Sequence, residues 1–376
     1  MKKSAFTQKD LKHLLELPFR RLGHVLAKAV FSPKKASYPF HVSKGTKILF
    51  LRHDVLGDMI TTLPLIRLVK KNFPEAEIHI LCTPSNSSVL SYCNVIDQIH
   101  IVSPKILTAP HVHLKDIRAI RSLEFDIIVN CYTARTSKNG ILIRLLSGPN
   151  TISSTVYAGE RYASYFSAQS TMAASAISMW DTMFMLGVET FGLDYTDEER
   201  NPWLPVEEFH IESARQTIQN LGLQEKQFIA VNVSVGQKRN IWPVDSYIAY
   251  LRFLIDIGYS PLLFGLPKEL SIIDQIQKVF PQISYYPFGR EIQEIGMALS
   301  LAQCAMSPDT GFVHLSTSVG CPIILLDQQR PHAISEEWSP FRVPYVRVES
   351  ETSLVADIQV SYVIDATNAL LNQLYS

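Results

Sequence analysis

The apolar positions of this chain alternate between short uninterrupted runs and longer stretches with a three-or-four spacing. From Lys47, KILFLRHD is a run of the kind that forms a buried strand, followed by a turn at Gly57 and a helical stretch ending near Asn72. EIHILC and VIDQIHIV each hold a further strand, KDIRAIRSLE predicts a helix, and FDIIVNCY is an apolar strand ending in polar residues. Strand, turn and helix in alternation predict an α/β domain with a doubly wound parallel sheet. A polar, proline-punctuated stretch from Asp194 to Pro205 reads as a linker. Beyond it the alternation resumes: IESARQTIQNLGL (helix), FIAVNVSV (strand), VDSYIAYLRFLIDIG (helix), SPLLFG (strand), LSIIDQIQKVF and EIQEIGMALSLAQ (helices), CAMSP (strand), a helix from about Gly311 to Val319, and CPIILLD (strand). The expected layout is an arm over 1–45, a Rossmann-like domain over 46–200, a second over 201–350, and a helix in 351–376 that packs back on the N-terminal domain.

Length and composition fit this picture, since 376 residues at 47% hydrophobic content suit two ordinary domains. The formal charge of zero hides an asymmetry. Residues 1–47 carry eleven Lys and Arg against Asp10 and Glu16, and Leu11, Leu14, Leu15, Leu22, Val25, Leu26, Ala29 and Val30 follow helical spacing. This basic amphipathic arm is expected to meet an anionic membrane surface or, alternatively, to pack on the body or on a protein partner. No stretch reaches the roughly 20 apolar residues of a membrane span. The N-terminus lacks the continuous apolar region of a secretion signal. Five scattered cysteines have neither the pairing of a metal knuckle nor the density of a disulfide scaffold. The expectation is a cytoplasmic protein, peripheral on the inner face of the membrane, with no nucleic acid among its partners.

Ligands of open parallel sheets sit beyond the C-terminal strand ends, so the residues after each strand carry the candidate chemistry. In LRHDVLGDMITTLP, Gly57 permits a tight turn and Asp58 stands at the helix start, where a carboxylate either takes a proton from a hydroxyl or caps the helix. Asp54 is a second carboxylate of this loop. In SPDTGFVHLSTSVGCP, Asp309, Thr310 and Gly311 open a helix whose free N–H groups favour a phosphate, with His314 one turn on; the alternative is a capping box and a core histidine. Ser234, Gly236, Lys238 and Arg239 follow the strand of VNVSVGQKRNIWP, where cations can neutralise a diphosphate. Glu269, after Gly265, suits the two hydroxyls of a ribose or is a solvated first-turn residue. Tyr132 and Arg135 in a loop over 131–140, with Arg161 and Tyr162 in a loop over 152–168, are candidate acceptor contacts. Asp-x-Asp, Gly-x-Gly, Walker, HExxH and GxSxG motifs are absent, which argues against metal-bridged diphosphate transfer, dinucleotide chemistry, ATP hydrolysis and serine esterase activity.

Three features resemble glycosyltransferase family 9, the heptosyltransferase-type enzymes of lipopolysaccharide core assembly. They are Arg52, Asp54, Gly57, Asp58 and Pro64 in an R-x-D-x-x-G-D motif, the strand and Trp-Pro pair at 231–243, and D-T-G-x-x-H at 309–314 with Gly320 and Pro322. The resemblance implies a GT-B fold of two Rossmann-like domains facing a cleft, with no metal and no cofactor beyond a nucleotide-diphosphate sugar as co-substrate. It implies a donor held mainly by the C-terminal domain, through Asp309, Thr310, Gly311 and His314, with Glu269 on the ribose. Asp58 would be the base of an inverting transfer to a glycolipid hydroxyl. Members often carry a lysine two residues before the tryptophan, where this chain has Asn240, so either Lys238 or Arg239 takes its role or donor binding differs. The family's G-P-T-type turn is replaced after CPIILLD by Asp327, Gln328, Gln329 and Arg330. The competing expectations are a non-catalytic nucleotide-sugar-binding subunit and a sugar epimerase of the same fold.

Overall fold

The computed structural model describes residues 33–376 apart from 134, 135, 158, 160, 161, 163 and 330–335. Strands β1 (Lys47–Leu51), β2 (Glu77–Cys82), β3 (Gln98–Ile101), β4 (Ile127–Asn130), β5 (Ile152–Val156) and β6 (Ala168–Ser170) form one parallel sheet in the order β3-β2-β1-β4-β5-β6. Strands β7 (Phe228–Asn232), β8 (Ser260–Phe264), β9 (Ser284–Tyr285), β10 (Cys304–Pro308), β11 (Ile323–Asp327) and β12 (Tyr345–Glu349) form a second, in the order β12-β11-β10-β7-β8-β9. Counted from its own first strand, each sheet runs 3-2-1-4-5-6, the doubly wound order. The strands nearest each sheet centre are buried from end to end, β1 except at Lys47, as expected where helices cover both faces.

The order reverses between β1 and β4 and between β7 and β10, which opens a crevice at those strand ends. The helices that leave β1 and β10, Leu56–Asn72 and Gly311–Ser318, pack against one another and bring the two crevices face to face. On the side of the helix Ile292–Leu301, Gln293 Nε2 donates to the carbonyls of Ser88 and Val89 at 3.1 and 3.2 Å, and the Tyr92 hydroxyl donates to the Glu291 carboxylate at 3.0 Å. Residues of both sheets join one apolar core across this junction.

Several expectations are corrected. The C-terminal helix, Val360–Tyr375, covers the second sheet and not the N-terminal domain: Val363, Leu370 and Leu371 sit in a core with Ile324, Val348 and Leu254. The reason is local, because β12 pairs with β11 and delivers the following chain to that face. The basic arm lies outside the described residues over 1–32. Residues 36–40 are part of the body, with Ala36 N–H donating to Ser167 O at 3.2 Å, Phe40 N–H to Thr190 O at 2.7 Å, and the Phe40 ring buried. The expected linker holds a short turn at Asp197–Arg200, tied down by Arg200 Nη2 and Asp181 Oδ1 at 2.7 Å. The expected loops also contain regular structure: the helix Ser137–Leu146 begins inside 131–140, and β5 lies inside 152–168.

The Trp-Pro pair has a structural account. Trp242 is 1% exposed, its Nε1–H donates to Ile358 O at 3.0 Å, and its ring packs on Tyr247 and Tyr250 at 5.0 and 6.1 Å. It joins the helix Val244–Asp256 to the segment leading into the last helix. Trp242→Ala is therefore expected to destabilise the protein by about 3–5 kcal/mol through a cavity and an unpaired carbonyl. Urea denaturation measures this, and an unchanged midpoint would remove the tryptophan from the stability of this domain.

Candidate functional site

The site forms where the ends of β1, β4, β7 and β10 meet, and Arg52 organises its N-terminal half. Arg52 is the residue after β1 and is fully buried. Its Nε donates to the carbonyl of Asp58 at 2.8 Å, its Nη2 to Asp58 Oδ1 at 3.0 Å, and its Nη1 to the carbonyl of Cys131, just beyond β4. Asp54 Oδ1 lies 3.4 Å from Nε on the other side. Burial opposes the charge of Arg52, but Asp54 and Asp58 more than offset it, so its pKa rises. One guanidinium thus bridges the crevice and holds two carboxylates.

These carboxylates differ. Asp58 caps the helix Leu56–Asn72, with Oδ2 accepting from the Val55 N–H at 3.4 Å, and it also lines the cleft, so the capping and cleft readings both describe it. Asp54 is the group whose pKa is pushed up, to about 7, because burial outweighs the neighbouring Arg52 and the Asp58 charge adds to the rise. His53 is buried, its ring stacks on Tyr132 at 4.6 Å, and burial together with Arg52 lowers its pKa to about 4, so it is neutral at pH 7.

The C-terminal half is built by the second reversal point. Thr310 caps the helix Gly311–Ser318, its hydroxyl accepting from Phe312 N–H at 3.3 Å. Asn232, the last residue of β7, donates to Ser307 Oγ at 2.9 Å and Thr310 Oγ1 at 3.3 Å, fixing that cap. The two helix starts approach closely: a Cβ on Gly57 would clash with His314 Cδ2 at 2.5 Å, and one on Gly311 would be a tight 3.2 Å from Leu56 Cδ2. Two positive helix ends therefore open on one cleft, which favours an anion. His314 is buried beside the rings of Trp180 and Trp338, and burial holds its pKa down against the opposing pull of Asp309 and Asp58.

Two adjoining cavities share Gly236, Thr310 and Gly311. One, of about 460 Å³, is lined by Asp58, Arg239, Asn240, Asp309, His314 and Trp338 among others. The second, of about 250 Å³, is largely apolar, with Leu56, Phe264, Ile292, Ile295 and Phe312 beside Ser234 and Lys268. Two residues lining the first carry a buried polar atom without a hydrogen-bond partner, Asn240 at Oδ1 and His314 at Nδ1. Such atoms are costly in a protein interior and are satisfied by a bound polar molecule.

Asp58, Gly236, Arg239, Asp309, Thr310, Gly311 and His314 are thus brought together, with Ser234 next door. Lys238 and Glu269 line a third, adjoining cavity with Trp242 and Tyr247, which shares Gly236 and Gln237 with the first, and Glu269 Oε2 accepts from the Leu266 N–H at 3.1 Å. Of the two cations offered in place of a lysine at 240, only Arg239 lines the cleft. Tyr162 is buried with its hydroxyl accepting from Asn139 Nδ2 at 2.9 Å, so it supports the end of β4 and is not an open acceptor contact. Arg135 and Arg161 lie outside the described residues. Trp338, Gln237 and the apolar lining of the smaller cavity escape motif reading, since nothing in their spacing marks them.

Residues 114–340 match the model of glycosyltransferase family 9 (heptosyltransferase). The chain is 23% identical over 293 residues to lipopolysaccharide heptosyltransferase 3 of Escherichia coli, covering 75% of this chain and 84% of that protein. Among solved structures, it shares its fold with a glycosyltransferase family 9 protein of Veillonella parvula (TM-score 0.71, 17% identity, 89% of this chain and 99% of that one). It shares it also with the Escherichia coli heptosyltransferase WaaC with ADP (TM-score 0.68, 14% identity, 86% of this chain and 100% of that one). The family match spans more than half of the residues and includes the second-domain crevice, and the chain belongs to glycosyltransferase family 9.

Proposed function

We propose that this glycosyltransferase is an inverting, metal-independent enzyme that moves heptose or a related sugar from a nucleotide-diphosphate sugar to a hydroxyl of a lipopolysaccharide core or other glycolipid. The observation that carries this reading is the Asp58 carboxylate lining one cavity with Asp309, Thr310, Gly311 and His314 at the meeting of two helix N-termini. The apolar cavity suits a nucleoside, and the shared Gly236, Thr310 and Gly311 suit the diphosphate. The sugar then falls in the larger cavity beside Asp58. The names of the relatives support heptose as the sugar and a lipopolysaccharide acceptor, and the bound ADP of WaaC supports an adenosine diphosphate donor.

The residues divide the work of a single displacement. Arg52 occupies Asp58 Oδ1, while Oδ2 accepts a long contact from Val55 N–H, and Oδ2 is the oxygen assigned to take the acceptor proton. The acceptor oxygen bonds to the anomeric carbon from the face opposite the diphosphate as the bond to the diphosphate oxygen breaks. The charge growing on that oxygen meets Arg239 and the start of the helix Gly311–Ser318. The basic segment over 1–32 fits presentation of a lipid-linked acceptor at an anionic membrane surface. Among the described residues no helix is long and apolar enough to cross a membrane.

A thermal-shift panel of ADP-, UDP-, GDP- and CMP-sugars tests the donor site. One nucleotide class is expected to stabilise the protein by roughly 2.7 kcal/mol at a hundred times its dissociation constant. Asp58→Asn is expected to keep that shift while turnover falls about 10²–10⁴-fold. No shift with any donor would sink the transferase reading, and undiminished turnover in Asp58→Asn would remove Asp58 as the base.

The raised pKa of Asp54 also makes stability depend on pH. Unfolded, the group releases its proton near pH 4; folded, it holds it to about 7, so its own contribution to stability is full below pH 4 and is lost as pH rises through this window. Asp54→Asn is expected to flatten the melting temperature between pH 4.5 and 7.5. A slope equal to that of the wild type would place the dependence on other groups.

A further inference from the structure

Asn240 ends the short turn Lys238–Asn240 and is 4% exposed, and its side chain has one partner to spare. Nδ2 donates to the carbonyl of Asp309 at 2.7 Å. A carbonyl only accepts, so this contact decides which end of the amide is nitrogen and leaves Oδ1 as the other end. Oδ1 is buried without a hydrogen-bond partner, in a residue that lines the cavity of Asp58, Asp309 and His314. A buried carbonyl oxygen in that state requires an N–H or O–H from whatever fills the cavity. A diphosphate offers none at neutral pH, because its oxygens only accept. The apolar cavity suited to the nucleoside is not lined by Asn240. Hydroxyls lie on the sugar and on the acceptor, and the sugar is the group assigned above to the cavity that Asn240 lines.

We infer that Asn240 Oδ1 accepts a hydrogen bond from a hydroxyl, or an amide N–H, of the sugar being transferred, and so helps to choose that sugar. This rests on the donor-site reading above. A cation at this position would recognise the sugar nucleotide by charge, which all such donors share. The amide recognises it by the position of one donor group, which distinguishes one sugar from another, since a site built to bond a hydroxyl rejects the analogue lacking it.

The test compares a nucleoside diphosphate with its sugar conjugate, using the nucleotide that binds in the panel of ADP-, UDP-, GDP- and CMP-sugars, by calorimetry on the full chain. Asn240→Ala, with its melting temperature checked against wild type, is expected to bind the nucleoside diphosphate within twofold of wild type and the nucleotide-sugar at least tenfold more weakly. Equal losses for both ligands, or no loss for either, would overturn the assignment. A second measurement needs no variant: among monodeoxy or desacetamido forms of the conjugate, wild type is expected to bind one at least tenfold more weakly than its parent. Tolerance of every single deletion within twofold would overturn it as well. Failure of wild type to bind any nucleotide would instead bring down the donor site itself, an outcome distinct from these.

Discussion

The site depends on one buried cation. Arg52 has no access to water, so each of its N–H groups must be answered from within the protein, and the answers come from both sides of the first sheet's reversal point. Its bonds to Asp58 set the first turn of the helix Leu56–Asn72, and its bond to Cys131 O ties that turn to the end of β4. Removing Arg52 leaves the largely buried carboxylates of Asp54 and Asp58 without their cation, at a cost of about 3–5 kcal/mol. The same ion engages one oxygen of Asp58, so the bond that holds the loop also orients that carboxylate at the cleft.

Across the cleft the constraint is steric. Gly57 and Gly311 let two helix starts come within van der Waals contact, and any side chain at Gly57 would strike His314. The gain is electrostatic, because two helix N-termini and Arg239 converge where Asp58 and Asp309 bring negative charge. The proposed transfer would use this mixture, with positive ends for the leaving group and a carboxylate for the incoming hydroxyl. The neutral imidazole of His314, held so by burial, adds no further charge.

Much of this was legible in the chain. Apolar runs such as KILFL, FIAVN and CAMSP coincide with strands buried on both faces, and the polar residues at their ends are those of the cleft. Where hydrophobicity does not mark burial, the pattern misleads. The strand Ile152–Val156 reads as a loop because Ser153, Ser154 and Thr155 lie inside it, yet Ser153 and Ser154 are fully buried. Ser154 bonds to Thr190 and Tyr38 at 2.6 and 2.7 Å, partners 36 and 116 residues away. Tyr162 misleads in the opposite direction: an aromatic in a polar stretch suits sugar contact, but Asn139 and Asn130 engage its hydroxyl inside the body.

The sequence by itself determined the two α/β units, the strand ends that bear chemistry, and the family resemblance, because these reside in local periodicity and in motifs of fixed spacing. Tertiary structure decided which candidates meet. Lys238 and Arg239 are neighbours in the chain, yet Arg239 lines the cavity of Asp58 while Lys238 lines the adjoining one with Glu269. It also decided that Asp54 carries a raised pKa, that Asn240 has an acceptor without a donor, and that the last helix belongs to the second domain. Burial, dielectric environment and the direction of a side chain depend on which distant segments pack around it. They are properties of the assembled fold, which no window of sequence contains.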